Sequence, residues 1–176
     1  MKTLLLLCGL CASAFQSLPA QTAKVAPSIP GGTFMILGGA EIGGFAAQNH
    51  ATLNVDLREI VDASVLSHRA GIVITVIGRD ASDRASTGFL AAETAGAVIK
   101  GMDYVATVNK DATRLELASV TFTLQGQLTI TAHPADGGRR EISIGIGTVQ
   151  AVLSTENIAQ FRALLEKAQA RLQALK

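Results

Sequence analysis

The residues best placed to do chemistry are His133 and Glu141, with Arg139 and Arg140 beside them. A histidine next to a carboxylate can act as an oriented general base or as part of a metal shell. Alternating apolar residues before and after them put the two on facing strands of one hairpin, both on its polar side. No third partner stands at a recognisable spacing. The ordinary reading is therefore a solvated cross-strand pair contributing roughly 0.2–1 kcal/mol. His50 and His68 stand alone in polar surroundings and carry no spacing signal.

Two other stretches suggest ligands at first sight. Asp80 and Asp83 offer carboxylates to a calcium ion, but Arg79 and Arg84 alternate with them and repel one. The run Ile36-Leu37-Gly38-Gly39-Ala40-Glu41-Ile42-Gly43 has the look of a dinucleotide fingerprint, with Asp56 as its acid. Such a turn opens a full crossover helix, and the eight residues between Gly43 and Thr52 are too few for one. A glycine-rich strand region at a sheet margin is the better reading. No G-x-S-x-G, S-x-x-K or H-E-x-x-H occurs. The sequence thus assigns no catalytic, cofactor-binding or metal-ligating residue.

Composition narrows the setting. Lys2, the apolar run Leu4–Leu7 with Leu10, and the small-residue exit Leu18-Pro19-Ala20 read as a signal peptide over residues 1–20. Its apolar core is too short to span a bilayer, which takes ~20 residues. The chain is expected to be exported, to the periplasm or the extracellular space. Cys8 and Cys11 both lie in that leader, so the rest has no disulfide and depends on its apolar core.

The charges, 15 basic against 14 acidic residues, are spread along the chain without a basic block. That argues against nucleic acid and against an anionic membrane surface. Six phenylalanines, one tyrosine and no tryptophan leave few flat platforms for sugars or bases.

The elements that must carry these residues follow from hydrophobic period. After a polar lead-in at 21–32, the glycine-rich 33–47 reads as one or two short strands. Residues 51–61 fit a strand (Leu53, Val55, Leu57, Val61) and also a helix capped by Asp56 and Glu59; the β-branched run Ile72–Ile77 favours a hairpin. A loop spans 79–88, and a short strand follows near Phe89. Ala91, Ala95, Val98, Met102 and Val105 mark one face of a helix.

Between 118 and 147 the alternation is clean enough to set register. A three-residue loop at 125–127 puts Leu124 opposite Leu128 and Phe122 opposite Ile130. A second such loop at 136–138 puts Ile130 opposite Ile144 and Leu128 opposite Ile146. Any one-residue slip would set apolar against polar. The other face then carries Thr121, Thr123, Thr129, Thr131 and Ser143, with Gly145 and Gly147 leaving the third strand bare. Apolar parity shifts at Val149, suggesting a bulge. A final helix, capped by Ser154 or Thr155, shows an apolar stripe of Ile158, Phe161, Leu165, Ala168, Leu172 and Leu175. That stripe is expected to cover the meander's apolar face.

The expectation is a single α+β domain over 33–176: a mainly antiparallel sheet of about six or seven strands with two helices packed on one face. Its expected function is a non-enzymatic binding or assembly module, with an envelope protein or a small molecule as partner, through the Thr/Gly face or the hairpin tip at Arg139 and Arg140. The alternatives are a hydrolase or metal-dependent enzyme with a dispersed site around His133 and Glu141, and a carrier of a small apolar ligand between helix and sheet.

Overall fold

The structure, a computed structural model, describes residues 35–63, 67–79, 85–107, 119–124, 128–135 and 140–175. The leader, the lead-in, the loop residues 80–84, the turns 125–127 and 136–138, and Arg139 lie outside the described residues.

Four strands come first: β1 (Met35–Ala46), β2 (Thr52–Asp62), β3 (Ser67–Ile77) and β4 (Ser86–Ala91). A 3-10 turn (Ala92–Thr94) leads into α1 (Ala95–Thr107). Four more strands follow, β5 (Val120–Leu124), β6 (Leu128–Pro134), β7 (Arg140–Ile146) and β8 (Val149–Leu153), and α2 (Thr155–Gln173) closes the fold. Four strands and a helix thus occur twice in succession. Each set of strands forms its own antiparallel sheet, in the orders β1-β2-β3-β4 and β5-β6-β7-β8.

The α+β class, the antiparallel pairing and the two helices agree with the expectation. Among the described residues the strands number eight in two sheets, rather than about six or seven in one. The ambiguous segment is strand from Thr52 to Asp62, paired with β3 from Thr52 opposite Ile77 to Asp62 opposite Ser67. Within the glycine-rich 33–47, the described residues give one long strand, Met35–Ala46, and a bulge between Glu41 and Gly43 keeps it from being flat. Ile42 turns inward there and is buried.

The second sheet has the register that alternation requires. Leu124 faces Leu128, Phe122 faces Ile130, Ile130 faces Ile144, and Leu128 faces Ile146. One detail differs. The parity change after Ile146 comes from a two-residue turn, with Ile146 opposite Val149, and not from a bulge. Gly147 has φ 58° there, and glycine at the first central position is what a type II′ hairpin turn needs.

The helices cross between the halves. α1, which ends the first half, packs on β5 and β6; α2, which ends the second, packs on β1, β2 and β3 and touches β8 only at its margin. The meander is therefore covered by α1 over β5 and β6 and by β3 and β4 of the first sheet over β7 and β8, and only marginally by the C-terminal helix that its stripe suggested. Both stripes are apolar, and their spacing does not say which sheet each will cover. Phe161 and Leu165 of α2 are fully buried, as are Val98 and Met102 of α1. Burying a side chain of this kind is worth about 1.5–3 kcal/mol. Both halves share one continuous core, and the helices are tied at the surface by an ion pair of Asp103 with Arg162.

Ser154 caps α2 by accepting from Asn157 N, while the Asn157 side chain accepts from Ser154 N. Such a reciprocal cap satisfies two backbone donors that the helix leaves open.

Glycines in α1 show how closely it lies on the second sheet. A Cβ on Gly101 would fall 2.6 Å from the Phe122 ring, whereas one on Gly96 would meet nothing nearer than Gln169 at 4.0 Å. Gly101→Ala should therefore destabilise the protein by about 1–3 kcal/mol through overpacking. Gly96→Ala should stabilise it by about 0.5–1 kcal/mol through helix propensity. Urea unfolding of the two variants checks both signs.

Candidate binding groove

Every antiparallel sheet that does not close has two edges whose outward N–H and C=O groups need partners. At β8 the partner is the β1–β2 turn. Gln48 N donates to Val152 O at 2.8 Å, Asn49 Nδ2 donates to Gln150 O at 2.9 Å, and Val152 N donates to Asn49 Oδ1 at 3.1 Å. His50, next in the turn, takes φ 62° to bring the chain back into β2.

At β1 the covering comes from α2 and reaches only part of the strand. Asn157 Nδ2 donates to Ala46 O at 3.3 Å and Lys167 Nζ donates to Ile42 O at 3.2 Å. Beyond the bulge, toward the strand's start, no such cap is found among the described residues. Met35, Ile36 and Leu37 are 54%, 49% and 66% exposed. A groove of about 180 Å³ opens between this stretch and the end of α2, with Gly38, Gly39 and Ala40 along one wall and Arg171, Leu172 and Leu175 along the other.

Two guanidinium groups flank the bare edge. Arg58 lies opposite Gly39 in register, and its Cδ and Nε come within 3.4 and 3.5 Å of where a Gly39 Cβ would be, so its stem lies over the glycine. Arg171 reaches the groove from the last turn of α2, on the face where Leu57 is buried. Glu59, also in the groove, is engaged by His68, Nδ1 to Oε1 3.3 Å. Neither Arg58 nor Arg171 has a carboxylate or hydrogen-bond partner among the described residues. The arrangement offers an extended backbone edge, aliphatic side chains and unneutralised positive charge. That suits binding more than bond breaking.

The residues singled out from sequence fare differently. His133 and Glu141 are opposed in register and both exposed. The imidazole, however, hydrogen-bonds Ser119 Oγ at 3.1 Å. Arg140 sits next to them, opposite Pro134, with its Nη1 buried and unbonded. His68 proves to have a partner in Glu59, two positions away across the hairpin.

Among the described residues, no three His, Cys, Asp or Glu side chains gather where a cation could sit. The fingerprint-like run Ile36–Gly43 is strand throughout.

The Thr/Gly face is drier than its composition implied. Thr121 and Thr123 are exposed, Thr129 and Thr131 half-buried, and Ser143 and Gly145 buried. Thr121 and Thr131 pair hydroxyl to hydroxyl at 3.2 Å. Gly145 is not vacant: Thr129 Oγ1 donates to its carbonyl at 3.3 Å, and Gln150 closes over it from β8. The bare position serves the sheet's own side chains.

No protein-family model matches the chain, and a comparison with curated proteins gives no match. Among the described residues, no helix is long and apolar enough to cross a membrane.

Two substitutions test this assignment of roles. Asn49→Ala should cost about 1–2 kcal/mol, because it strips two hydrogen bonds from the β8 edge. His133→Ala should change stability by less than about 0.5 kcal/mol, as expected for an exposed side chain. Thermal melts of both variants provide the measurement.

Proposed function

We propose that the protein is an exported, non-catalytic binding or assembly module that holds another polypeptide along the open part of β1. The observation that carries this reading is the edge from Met35 to Ala40, which among the described residues has no cap and is set between Arg58 and Arg171, neither of which has an anionic partner there. Proteins ordinarily blunt such an edge with a cap, a charge or a bulge, and this one does so for β8 and for the rest of β1. An added strand would receive main-chain hydrogen bonds from the edge, with side-chain contacts supplying selectivity. The leader-like residues 1–20 support an exported setting.

The surface proposed here differs from the Thr/Gly face and from the hairpin tip at Arg140. The carrier reading has less support, since Phe161, Leu165 and Met102 fill the space between helix and sheet.

A photo-reactive residue in place of Leu37, in protein expressed in its native compartment, tests the proposal. Covalent adducts to a polypeptide should form from position 37 and not from position 104, where Tyr104 is equally exposed on α1. Absence of a polypeptide adduct from position 37 refutes it.

A further inference from the structure

We infer that the polypeptide held along β1 is an acidic one, with a carboxylate two positions before a large aliphatic side chain. This rests on the reading of the β1 edge as a binding surface and names the chemistry of its occupant.

The shape comes from residues that lack bulk. Gly38, Glu59 and Ala70 lie side by side across the first three strands, on the face that α2 covers. A Cβ on Gly43 would stand 3.0 Å from Leu164 of α2, so helix and strand are close there. At Gly38 the three nearest atoms to such a Cβ would all belong to Glu59, at 3.6 to 3.9 Å. The end of the helix therefore stands off the strand, with Leu172 and Leu175 roofing a groove of about 180 Å³ over Leu57 and Ala70. An apolar cavity of about 150 Å³ accepts benzene. This groove takes one side chain of leucine size, offered by a strand added outside β1.

The charge comes from α2. Asn157, Gln160, Leu164, Lys167 and Arg171 recur every three or four residues and form one flank of the helix. Asn157 and Lys167 bond to β1 carbonyls, so this is the flank above the edge. Its charged groups, Lys167 and Arg171, are both cationic and stand one turn apart, about 5.4 Å. Glu166 falls on another side of the helix. Glu59 faces the groove but is engaged by His68. Arg58 projects from the opposite face of the sheet, where Glu41 lies diagonal to it, and has no share in this field.

A strand added antiparallel, as the others in this sheet are, presents alternate residues to α2. Its residue opposite Gly38 fills the groove and covers Leu175, which is 67% exposed. Its residue opposite Ala40 shares that face and lies toward Lys167 and Arg171. In an antiparallel guest the second of these comes first in sequence, which gives the order acid, any residue, aliphatic.

Fluorescein-labelled, end-capped heptapeptides measured by anisotropy against the full chain test this. Thr-Thr-Glu-Thr-Leu-Thr-Thr should bind about tenfold more tightly than the same peptide with Ala for Leu, the low end for burying such a side chain. Lys for Glu should weaken binding about threefold, as expected for a solvent-exposed pair. Thr-Thr-Thr-Glu-Leu-Thr-Thr has the same composition but sends the carboxylate to the other face, and should also lose about threefold. Gly38→Leu fills the groove and should level the Leu and Ala peptides. Arg171→Glu should make the Lys peptide the tighter of the charge pair. Circular dichroism confirms that both variants fold. Peptides of equal affinity overturn the inference, as do preferences that survive unchanged in either variant. If no peptide binds while position 37 cross-links a polypeptide in the native compartment, this chemistry is refuted and the binding surface stands. If position 37 cross-links nothing, the binding surface falls and this inference with it.

Discussion

Each sheet of this protein has an apolar face that its own half does not adequately cover, and the helix that covers it comes mainly from the other half. α1 lies on β5 and β6, and α2 on β1 to β3. The hydrophobic effect drives this burial and is indifferent to chain order. Its consequence is cooperative: each sheet's aliphatic residues are covered by the opposite helix together with the facing sheet, since β3 and β4 also pack on β7 and β8. The contact between Gly101 and the Phe122 ring is where the crossing is tightest on one side. Gly43 against Leu164, with 3.0 Å left for a Cβ, is its counterpart on the other.

The crossing also decides which edges are protected. As α2 runs along β1, Asn157 and Lys167 reach the carbonyls of Ala46 and Ile42. The helix then ends, and among the described residues the strand beyond the bulge has no such cap. Two sheets rather than one give four edges instead of two, so the protein has more to manage than a single meander would. The turn at Gln48 and Asn49 manages one of them by pairing with β8.

Much of the second sheet was legible beforehand. Phe122, Leu128, Ile130 and Ile144 alternate with short polar residues, and only one register keeps like with like. The binding groove was not legible. Arg171 reads as a favourable charge at a helix end, Arg58 as an ordinary polar position in an ambiguous segment, and Gly38-Gly39 as a weak strand. Nothing in their spacing joins residues 38, 58 and 171. Glu41 and Asp56 become neighbours only because the β1–β2 hairpin has this register and this bulge. His133 and Glu141 were legible as a facing pair, yet the nearer hydroxyl of Ser119 takes the imidazole.

By itself the chain determined the class of the fold, the two helices and the register from Val120 to Ile146. Those properties follow from periods of two and 3.6 residues, which act over a few neighbours and are written in local order. Tertiary structure alone decided that the strands split into two sheets, which helix seals which sheet, and where an edge stays open. The free energy of leaving water rewards burying either apolar stripe and names no particular sheet for it. That assignment is settled by shape, by the room that Gly101 and Gly43 leave and by the reach of two helices of unequal length, and shape exists only once the whole core has closed.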